Sequence, residues 1–329
     1  MKGAIIREFG DYDKIQVEEG LPVPQAGDKQ VLIKVKAAGV NPVDTYIRSG
    51  VYAKLPELPY VVGREGAGVV EKIGANVNQF KPGDRVWFAA PNNGATAEYA
   101  AIDVDYIFRL PDRVSFEEGA TLGIAYFTAY RALFLKTCGQ AGQSVFVHGA
   151  SGGVGLATCL LAKVHGLRIV GTASTPEGEK VAKEHGCEQV FNHQEPDYIQ
   201  KIQEQFPNGF DIIVEMLANV NLCADLKIVA PQGRIIVVGS RGTVQNFDPR
   251  QCMQKEASII GLMTSVTSPE DYQRMGERMV GLLDGGHITP HIGKVLPIEQ
   301  TAEAHRSILV PGAPRQNSYQ GRVVQRSKC

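Results

Sequence analysis

Closely spaced glycines in the stretch HGASGGVG, residues 148–155, join a short apolar run, SVFVH, to the helix-forming LATCLLAKV. A glycine at 152 lets a phosphate group approach the backbone, and a glycine at 155 lets a helix pack closely on the preceding strand. The N–H groups at the start of such a helix favour a bound anion. The turn therefore predicts a dinucleotide-binding site. The residues predicted to form it are Ala150, Ser151, Gly152, Gly153, Val154 and Gly155.

The next apolar run, RIV, leads into GTAST, where an acidic residue would hold the 2′-hydroxyl of an adenosine ribose. An acid at Ser174 would repel a 2′-phosphate, whereas hydroxyl and cationic side chains would accept one. Lys180 and His193 are the predicted cationic partners, although two glutamates in the following PEGEK could oppose them. This pattern favours NADP(H) over NAD(H).

The elements that must position these residues change in character along the chain. The first third contains short β-branched runs separated by Gly and Pro, which is typical of a small barrel or sandwich. From about residue 117, helices alternate with apolar strands, which is typical of a doubly wound parallel sheet. The predicted fold is α/β, with a Rossmann domain at 118–263 and a β-rich domain at 1–117 to which residues 264–329 return through the strand GRVVQ.

Composition narrows the functional classes. The 329 residues are 43% hydrophobic and 21% charged, as in an ordinary globular protein, and the net charge of −1 gives no general attraction to nucleic acid or anionic membrane. The six cysteines include no C-x-x-C pair, and no apolar run is long enough to span a bilayer. The expectation is a cytoplasmic protein with free thiols. The strand ASIIGLM is a candidate sheet edge for pairing in an oligomer.

Several segments together resemble the zeta-crystallin-type quinone oxidoreductases of the medium-chain dehydrogenase/reductase superfamily. They are AAGVNPVDTYIRSGVY, HGASGGVG, GTAS, VFNH, EMLANVNL and VVGSRGT, in that order. The resemblance implies a GroES-like catalytic domain, an inserted Rossmann domain with a cleft between the two, and NADPH-dependent reduction of a quinone, by one- or two-electron delivery. It also implies a dimer or tetramer, and it leaves open a reductase of enones or alkenals and an AU-rich RNA-binding or lens role.

The same resemblance implies roles for individual residues. Asn41 and Tyr46 match positions on the substrate side, Tyr46 also matches a residue that faces the nicotinamide, and Tyr52 would add an aromatic wall. Ser174 and His193 match the adenosine-phosphate side. The further implied cofactor contacts are Asn221, Val238, Gly239, Ser240 and Arg241.

Zinc dehydrogenases of the same superfamily carry a cysteine where this chain has Asn41 and a histidine where it has Arg64. Neither Asn nor Arg suits zinc, so no metal site is predicted. Without a Lewis acid, the acceptor should be intrinsically electrophilic, as a quinone is. The pair Arg64-Glu65 and an insertion near 311–320 depart from the family pattern. The pair is expected either to be a local ion pair or to alter the shape of the substrate site.

Overall fold

The computed structural model describes residues 1–89, 94–309, 317–319 and 322–325, the last two stretches by their backbone alone. The strands are β1 (Gly3–Ile6), β2 (Gln16–Glu18), β3 (Gln30–Gly39), β4 (Tyr60–Val61), β5 (Glu65–Ile73), β6 (Arg85–Ala89), β7 (Tyr99–Asp103), β8 (Ile107–Arg109), β9 (Ser144–Val147), β10 (Arg168–Ala173), β11 (Gln189–Asn192), β12 (Phe210–Glu215), β13 (Val229–Val237), β14 (Ser258–Gly261), β15 (Lys294–Pro297), β16 (Asn317–Tyr319) and β17 (Arg322–Gln325). The α-helices are α1 (Pro42–Arg48), α2 (Phe116–Gly119), α3 (Gly123–Tyr130), α4 (Gly153–Val164), α5 (Pro176–Glu184), α6 (Tyr198–Gln205), α7 (Ala218–Ile228), α8 (Pro249–Lys255), α9 (Pro269–Asp284) and α10 (Thr301–Ser307). Shorter helical turns are Tyr12–Lys14, Val104–Tyr106, Thr264–Val266 and Ile298–Gln300, which are 3-10, and Arg131–Leu135, which is π-helical.

The chain forms two compact units. The first comprises Met1–Phe127 and the described residues from Thr267 onward, and the second is Thr128–Val266. The first unit extends past the predicted end of its N-terminal part at residue 117. It does so because the ring of Phe127 packs edge-on against Trp87 and Tyr272, at centroid distances of 5.6 and 5.2 Å, which are favourable aromatic contacts.

The first unit is β-rich, in agreement with the frequent turn residues of its sequence. Its larger sheet has the order β15-β16-β17-β3-β5-β6-β8, with β7 also paired to β3, and a smaller sheet has the order β2-β1-β4. The chain returns to this unit through β17, which pairs with β3 at Val324 and Gly39 as the sequence predicted. The predicted insertion at 311–320 lies largely outside the described residues, and β16 occupies three of its positions.

The second unit is a parallel sheet of order β11-β10-β9-β12-β13-β14. The strands have apolar centres, VFV in β9 and IIV in β12, and Phe146, Ile213 and Ile235 are fully buried in the core. Such runs bury both faces, because helices cover both sides of a parallel sheet. The predicted α/β class, with a doubly wound domain and a β-rich domain, is confirmed. Among the described residues no helix has the length and apolar character needed to cross a membrane.

Candidate active site

The glycine turn follows β9 in the second unit and is held against β10. Thr172 accepts the Ala150 N–H through its carbonyl oxygen at 2.8 Å and the Gly149 N–H through its hydroxyl at 3.0 Å. Gly149 has φ +60, which favours glycine at this position. Helix α4 then begins with Gly152 as its N-cap, and no side chain caps it. The predicted strand–turn–helix is therefore present, with the start of the helix available to an anion.

The glycines of the turn differ in what surrounds them. A β-carbon at Gly155 would lie 2.3 Å from the Gly149 carbonyl oxygen and 2.7 Å from backbone atoms of Ala150. A β-carbon at Gly152 would meet only the Gly149 oxygen, at 3.3 Å. Gly155 is thus required for packing of the turn, whereas the space beside Gly152 is open toward the position expected for a ligand.

The carboxyl end of β10 carries the residues predicted to face the adenosine phosphate. Ser174 is half-buried and precedes Thr175, which caps α5 by accepting the Gly178 N–H at 3.2 Å. His193 is exposed, and its N–H donates to the Ala173 carbonyl at 3.2 Å, so it lies beside the same strand end. Lys180 is exposed on α5.

One of the two glutamates that could oppose a phosphate is already engaged. Glu179 accepts from Lys183 at 2.6 Å on the surface of α5. Among the described residues of the GTAST segment, no carboxylate takes the place of the expected acid.

The segments after β12 and β13 are tied to each other. The Val238 N–H donates to the Glu215 carbonyl, and the Gly239 carbonyl accepts from the Ala218 N–H at 2.9 Å. A β-carbon at Gly239 would lie 2.6 Å from the Met216 oxygen, so the two segments approach closely. Asn219 joins them further on. Its side-chain oxygen accepts from the Arg241 N–H at 2.8 Å and from the Ser240 hydroxyl at 3.3 Å. The predicted contacts Val238, Gly239, Ser240 and Arg241 thus form one structured segment beside the loop that leads to Asn221.

A cluster of three buried polar residues lies beneath this loop, and the sequence reasoning missed it. His148 Nε2 lies 2.7 Å from Asp225 Oδ1 and 3.2 Å from Glu215 Oε2, and both carboxylates are fully buried. Glu215 Oε1 accepts from Asn221 Nδ2 at 3.1 Å and from the Leu217 N–H. The available signal was an acid, Glu215, directly after the three apolar residues of DIIVE.

The cluster is electrostatically unusual. Burial raises the pKa values of Glu215 and Asp225 to about 7 in each case and lowers the pKa of His148. A raised pKa means that each carboxyl holds its proton to a higher pH than an exposed acid does, and one hydrogen bond joins His148 to Asp225. Because Glu215 also receives the Asn221 amide, the cluster fixes the side chain predicted to contact the cofactor.

The same three groups could be considered as metal ligands, since their ligand atoms lie within 4.8 Å of one another. Around a zinc ion with bonds of about 2.0 Å, tetrahedral ligand atoms lie about 3.3 Å apart. The 2.7 Å separation of His148 Nε2 and Asp225 Oδ1 is instead that of a hydrogen bond. The geometry fits shared protons and does not fit a bound zinc ion.

In the first unit, Asn41 is firmly oriented. It is the N-cap of α1, its N–H donates to Asp44 Oδ2 at 2.7 Å, and its amide Nδ2 donates to Glu65 Oε1 at 2.6 Å. Glu65 is fully buried, and its other oxygen accepts from the Ile124 N–H at 2.7 Å. Glu65, which the sequence singled out only as a neighbour of Arg64, thus holds the Asn41 amide in place.

Glycines make room for this carboxylate. A β-carbon at Gly39 would lie 2.4 Å from Glu65 Oε1, and one at Gly123 would lie 2.9 Å from Glu65 Oε2. Two separate chain segments therefore carry glycine where they approach the same buried side chain.

The other predicted substrate-side residues lie close by in sequence. Tyr46 is half-buried on α1, and Tyr52 is partly buried against the core of the unit. The Arg64 guanidinium carbon lies 5.9 Å from the Tyr52 ring centroid. Arg64 is only 3% exposed. The local ion pair expected of Arg64 and Glu65 is absent from the described residues, because Glu65 is bound by Asn41 and Ile124 instead.

The zinc alternative can be tested on these side chains. The Asn41 amide nitrogen donates to a carboxylate and its carbonyl oxygen is a poor ligand for zinc, while the Arg64 side chain is a buried cation with no lone pair for a metal. The residues at these two positions do not fit a catalytic zinc ion.

The predicted site residues therefore form two groups. The second unit brings together the turn residues, Ser174 and His193 around the end of β10, and Asn221 with the 238–241 segment. The first unit contains Asn41, Tyr46 and Tyr52 on and after α1. That these groups bind cofactor and substrate stays a prediction at this point.

Two protein-family models match the chain. The alcohol dehydrogenase GroES-like domain matches residues 27–112, and the zinc-binding dehydrogenase family matches residues 153–281. Human quinone oxidoreductase is 47% identical over 310 residues, which cover 94% of each chain. Among solved structures, a quinone oxidoreductase of Pseudomonas syringae is 27% identical with a TM-score of 0.85, covering 93% of this chain and 95% of that one. The Escherichia coli quinone oxidoreductase complexed with NADPH is 27% identical with a TM-score of 0.83, covering 94% and 96%.

Proposed function

We propose that this chain, which belongs to the quinone oxidoreductase family of the medium-chain dehydrogenase/reductase superfamily, is an enzyme that reduces quinones with NADPH. The observation that carries the proposal is the uncapped glycine turn at the start of α4, in a chain that is 47% identical to a quinone oxidoreductase. Its structural neighbours include a quinone oxidoreductase complexed with NADPH.

The glycine turn fits a dinucleotide. Gly152 leaves open space where a side chain would stand, and the first N–H groups of α4 have no capping side chain. A pyrophosphate accepts such N–H groups and is attracted by the positive end of the helix. When bound, NADPH supplies the hydride, while the protein supplies position and exclusion of water.

Preference for NADPH over NADH is supported by the end of β10. Ser174 and Thr175 present hydroxyl groups where an acid would select a bare ribose, and Lys180 and His193 lie on exposed positions nearby. The N-terminus of α5 adds a favourable dipole for a 2′-phosphate. The Lys183 contact of Glu179 reduces the opposing charge.

On the first unit, we assign the acceptor to Asn41, Tyr46 and Tyr52. The Asn41 amide is held by Glu65, so it provides a fixed dipole that does not need to reorganise as charge develops on a carbonyl oxygen. The Tyr46 hydroxyl is a hydrogen-bond donor on the same helix. Since Asn41 is a poor zinc ligand and Arg64 cannot be one, an acceptor that is already electrophilic, such as a quinone, suits this set of side chains.

A cofactor-resolved rate measurement tests the proposal. Steady-state kcat/KM is measured with NADPH and with NADH on a panel of quinones and α,β-unsaturated ketones. Quinone reduction with NADPH preferred by at least about tenfold is expected. Faster reduction of the unsaturated ketones would favour the double-bond reductase instead, and absence of any reduction would refute the oxidoreductase assignment.

We also propose an oligomeric state for this chain. β14 forms the edge of the parallel sheet, and apolar side chains around it are exposed, including Met253 at 73%, Ile259 at 36% and Met263 at 48%. An edge strand with apolar neighbours favours pairing with a second copy about a two-fold axis. Light scattering of the wild type and of Ile259→Lys tests this: a dimer or larger oligomer that dissociates in the variant is expected, and a monomeric wild type would refute it.

We also propose a cytoplasmic location, which is consistent with free thiols at all the described cysteines, including Cys159 and Cys187 at an Sγ separation of 3.5 Å. RNA binding stays a prediction that comes from the resemblance alone. The net charge of −1 gives it no support, because it provides no general attraction to a polyanion.

A further inference from the structure

Arg64 is a buried cation without a hydrogen-bond partner among the described residues. It is 3% exposed, and its Nε is fully enclosed and unbonded. Two other buried arginines also leave one enclosed nitrogen unbonded, Arg48 at Nη1 and Arg131 at Nε, but both make hydrogen bonds through other nitrogens. Arg48 donates to the Gly10 carbonyl and to Asp11, and Arg131 donates to the Met263 carbonyl at 2.7 Å.

The charge of Arg64 is not cancelled by its acidic neighbours. Both Glu65 oxygens are engaged, one by the Asn41 amide and one by the Ile124 N–H. Asp44 lies near enough for its pKa to respond to Arg64, but no ion pair within 4.0 Å joins them in the described part of the chain. Burial raises the pKa of Asp44 to about 7, so this carboxyl carries only part of a negative charge at neutral pH.

A guanidinium removed from water without a partner is costly, and removal of one member of a buried pair typically destabilises a protein strongly. A buried polar group that lacks a partner in the folded protein calls for a ligand or another specific cause. The Tyr52 ring, at 5.9 Å from the guanidinium carbon, is a further contact of Arg64, and it takes no hydrogen bond from the enclosed Nε.

The position of Arg64 indicates what the missing partner is. It adjoins Glu65, which holds the Asn41 amide, and it lies over Tyr52. Asn41 and Tyr52 are among the residues that the proposed function assigns to the electron acceptor. An oxyanion is the natural partner of a guanidinium, because its planar N–H donors match two oxygens at once.

We propose that Arg64 is a specificity-determining residue that binds an anionic oxygen on the acceptor, so that the enzyme prefers quinones carrying a carboxylate or sulfonate group over neutral quinones. This inference rests on the proposed quinone reductase activity. The anionic group is recognised and is not consumed, so it takes no part in the transfer of electrons to the quinone ring.

The test compares two quinones of the same ring system, one neutral and one sulfonated, at fixed NADPH. The variants are Arg64→Met, which removes the charge at similar volume, and Arg64→Lys, which keeps the charge but loses the paired donors. Lys54→Ser is the matched control, because Lys54 is an exposed cation close in sequence to Tyr52.

The measured quantity is the ratio of kcat/KM for the sulfonated quinone to that for the neutral one. Arg64→Met is expected to lower this ratio by about 10- to 100-fold, the range given by one charge-assisted contact. The ratio for Arg64→Lys should lie between the ratios for the wild type and for Arg64→Met, and Lys54→Ser should keep the wild-type ratio. An equal fall in Lys54→Ser would mean that general surface charge causes the preference and would overturn the inference, as would an unchanged ratio in Arg64→Met.

Two binding and stability readouts separate this inference from the proposed function. The sulfonated quinone should raise the melting temperature of the wild type but not of Arg64→Met, and this holds whether or not turnover occurs. Without ligand, Arg64→Met should melt no lower than the wild type, because it removes an unpaired buried charge. If neither quinone is reduced but the melting shift depends on Arg64, the proposed function fails and the anion site stands. A variant that melts well below the wild type, with no ligand-dependent difference, would instead assign Arg64 a structural role.

Discussion

The glycine turn allows a sharp prediction, because two of its glycines are required for different reasons. Gly152 has φ −76 and ψ 170, which any residue adopts, and a β-carbon there meets one atom at 3.3 Å. Gly152→Val should therefore fold, at a cost of about 1 kcal/mol for an unfavourable N-cap residue. The valine methyl groups would fill the space in front of the first N–H groups of α4.

The expected loss of affinity follows from the hydrogen bonds that the pyrophosphate can no longer make. A hydrogen bond to a charged group contributes about 1.5–3 kcal/mol, so two lost at the lower value amount to about 3 kcal/mol, or more than 100-fold in Kd. Isothermal titration of NADPH, with a thermal melt of each protein, measures both effects. An unchanged Kd in a folded Gly152→Val protein would refute the assignment of the turn as the pyrophosphate site.

Gly155→Ala is the matched comparison. Its new β-carbon would lie 2.3 Å from the Gly149 oxygen, a distance that no relaxation of a flexible side chain can relieve. We expect a lower melting temperature in this variant, whereas Gly152→Val loses affinity with little loss of stability. If both variants lose affinity and melting temperature to the same extent, the distinction between Gly152, which leaves room for the ligand, and Gly155, which is needed for packing, is wrong.

Three further changes test other parts of the site. Ser174→Asp should raise the KM for NADPH at least tenfold while changing the KM for NADH little, because a new carboxylate repels a 2′-phosphate; equal effects on both would contradict the cofactor preference. Tyr46→Phe should lower kcat more than it weakens NADPH binding, and an unchanged kcat would remove Tyr46 from the reaction. In the buried cluster, the pKa of Asp225 is raised by burial to about 7, so the folded protein holds a proton that the unfolded chain releases near pH 4. The bound proton stabilises the folded wild type at low pH, and this contribution is lost as the pH rises toward 7. Urea titrations from pH 5 to 7 give the free energies of unfolding of the wild type and of Asp225→Asn. The wild-type value minus the variant value should fall by about 1.4 kcal/mol per pH unit. A difference that does not change with pH would show that the cluster does not retain protons.

The elements of the fold were predictable because their periodicity is local. The apolar stretches at the centres of β9, β12 and β13, which are VFV, IIV and IIV, are each contiguous in sequence. The end of the first unit was less predictable. Phe127 belongs there because of ring contacts with residues distant in sequence, which no local pattern reports.

The partners of the polar residues were not predictable for the same reason. His148 could be recognised as the last residue of a strand, but its two carboxylate neighbours come from segments 67 and 77 positions away. Asn41 and Glu65 are 24 positions apart. A parallel sheet brings the carboxyl ends of its strands to one edge, so the sequence can predict that polar strand ends meet, but not which of them share a proton.

The Asn41–Glu65 contact is the geometry behind the polarising role that we propose for Asn41, at the position where the zinc dehydrogenases are expected to carry a zinc ligand. The buried Glu65 carboxylate fixes the Asn41 amide through one oxygen, and the backbone of α3 donates a hydrogen bond to its other oxygen. A fixed amide dipole stabilises developing negative charge without itself being charged, and it works best where it is already oriented. An amide dipole stabilises a developing negative charge less strongly than a metal ion does. This weaker stabilisation is sufficient for a quinone, because a quinone needs little polarisation before it is reduced. Arg64 is the buried cation next in sequence to Glu65, and the preference for acceptors with an oxyanion that we propose depends on its charge.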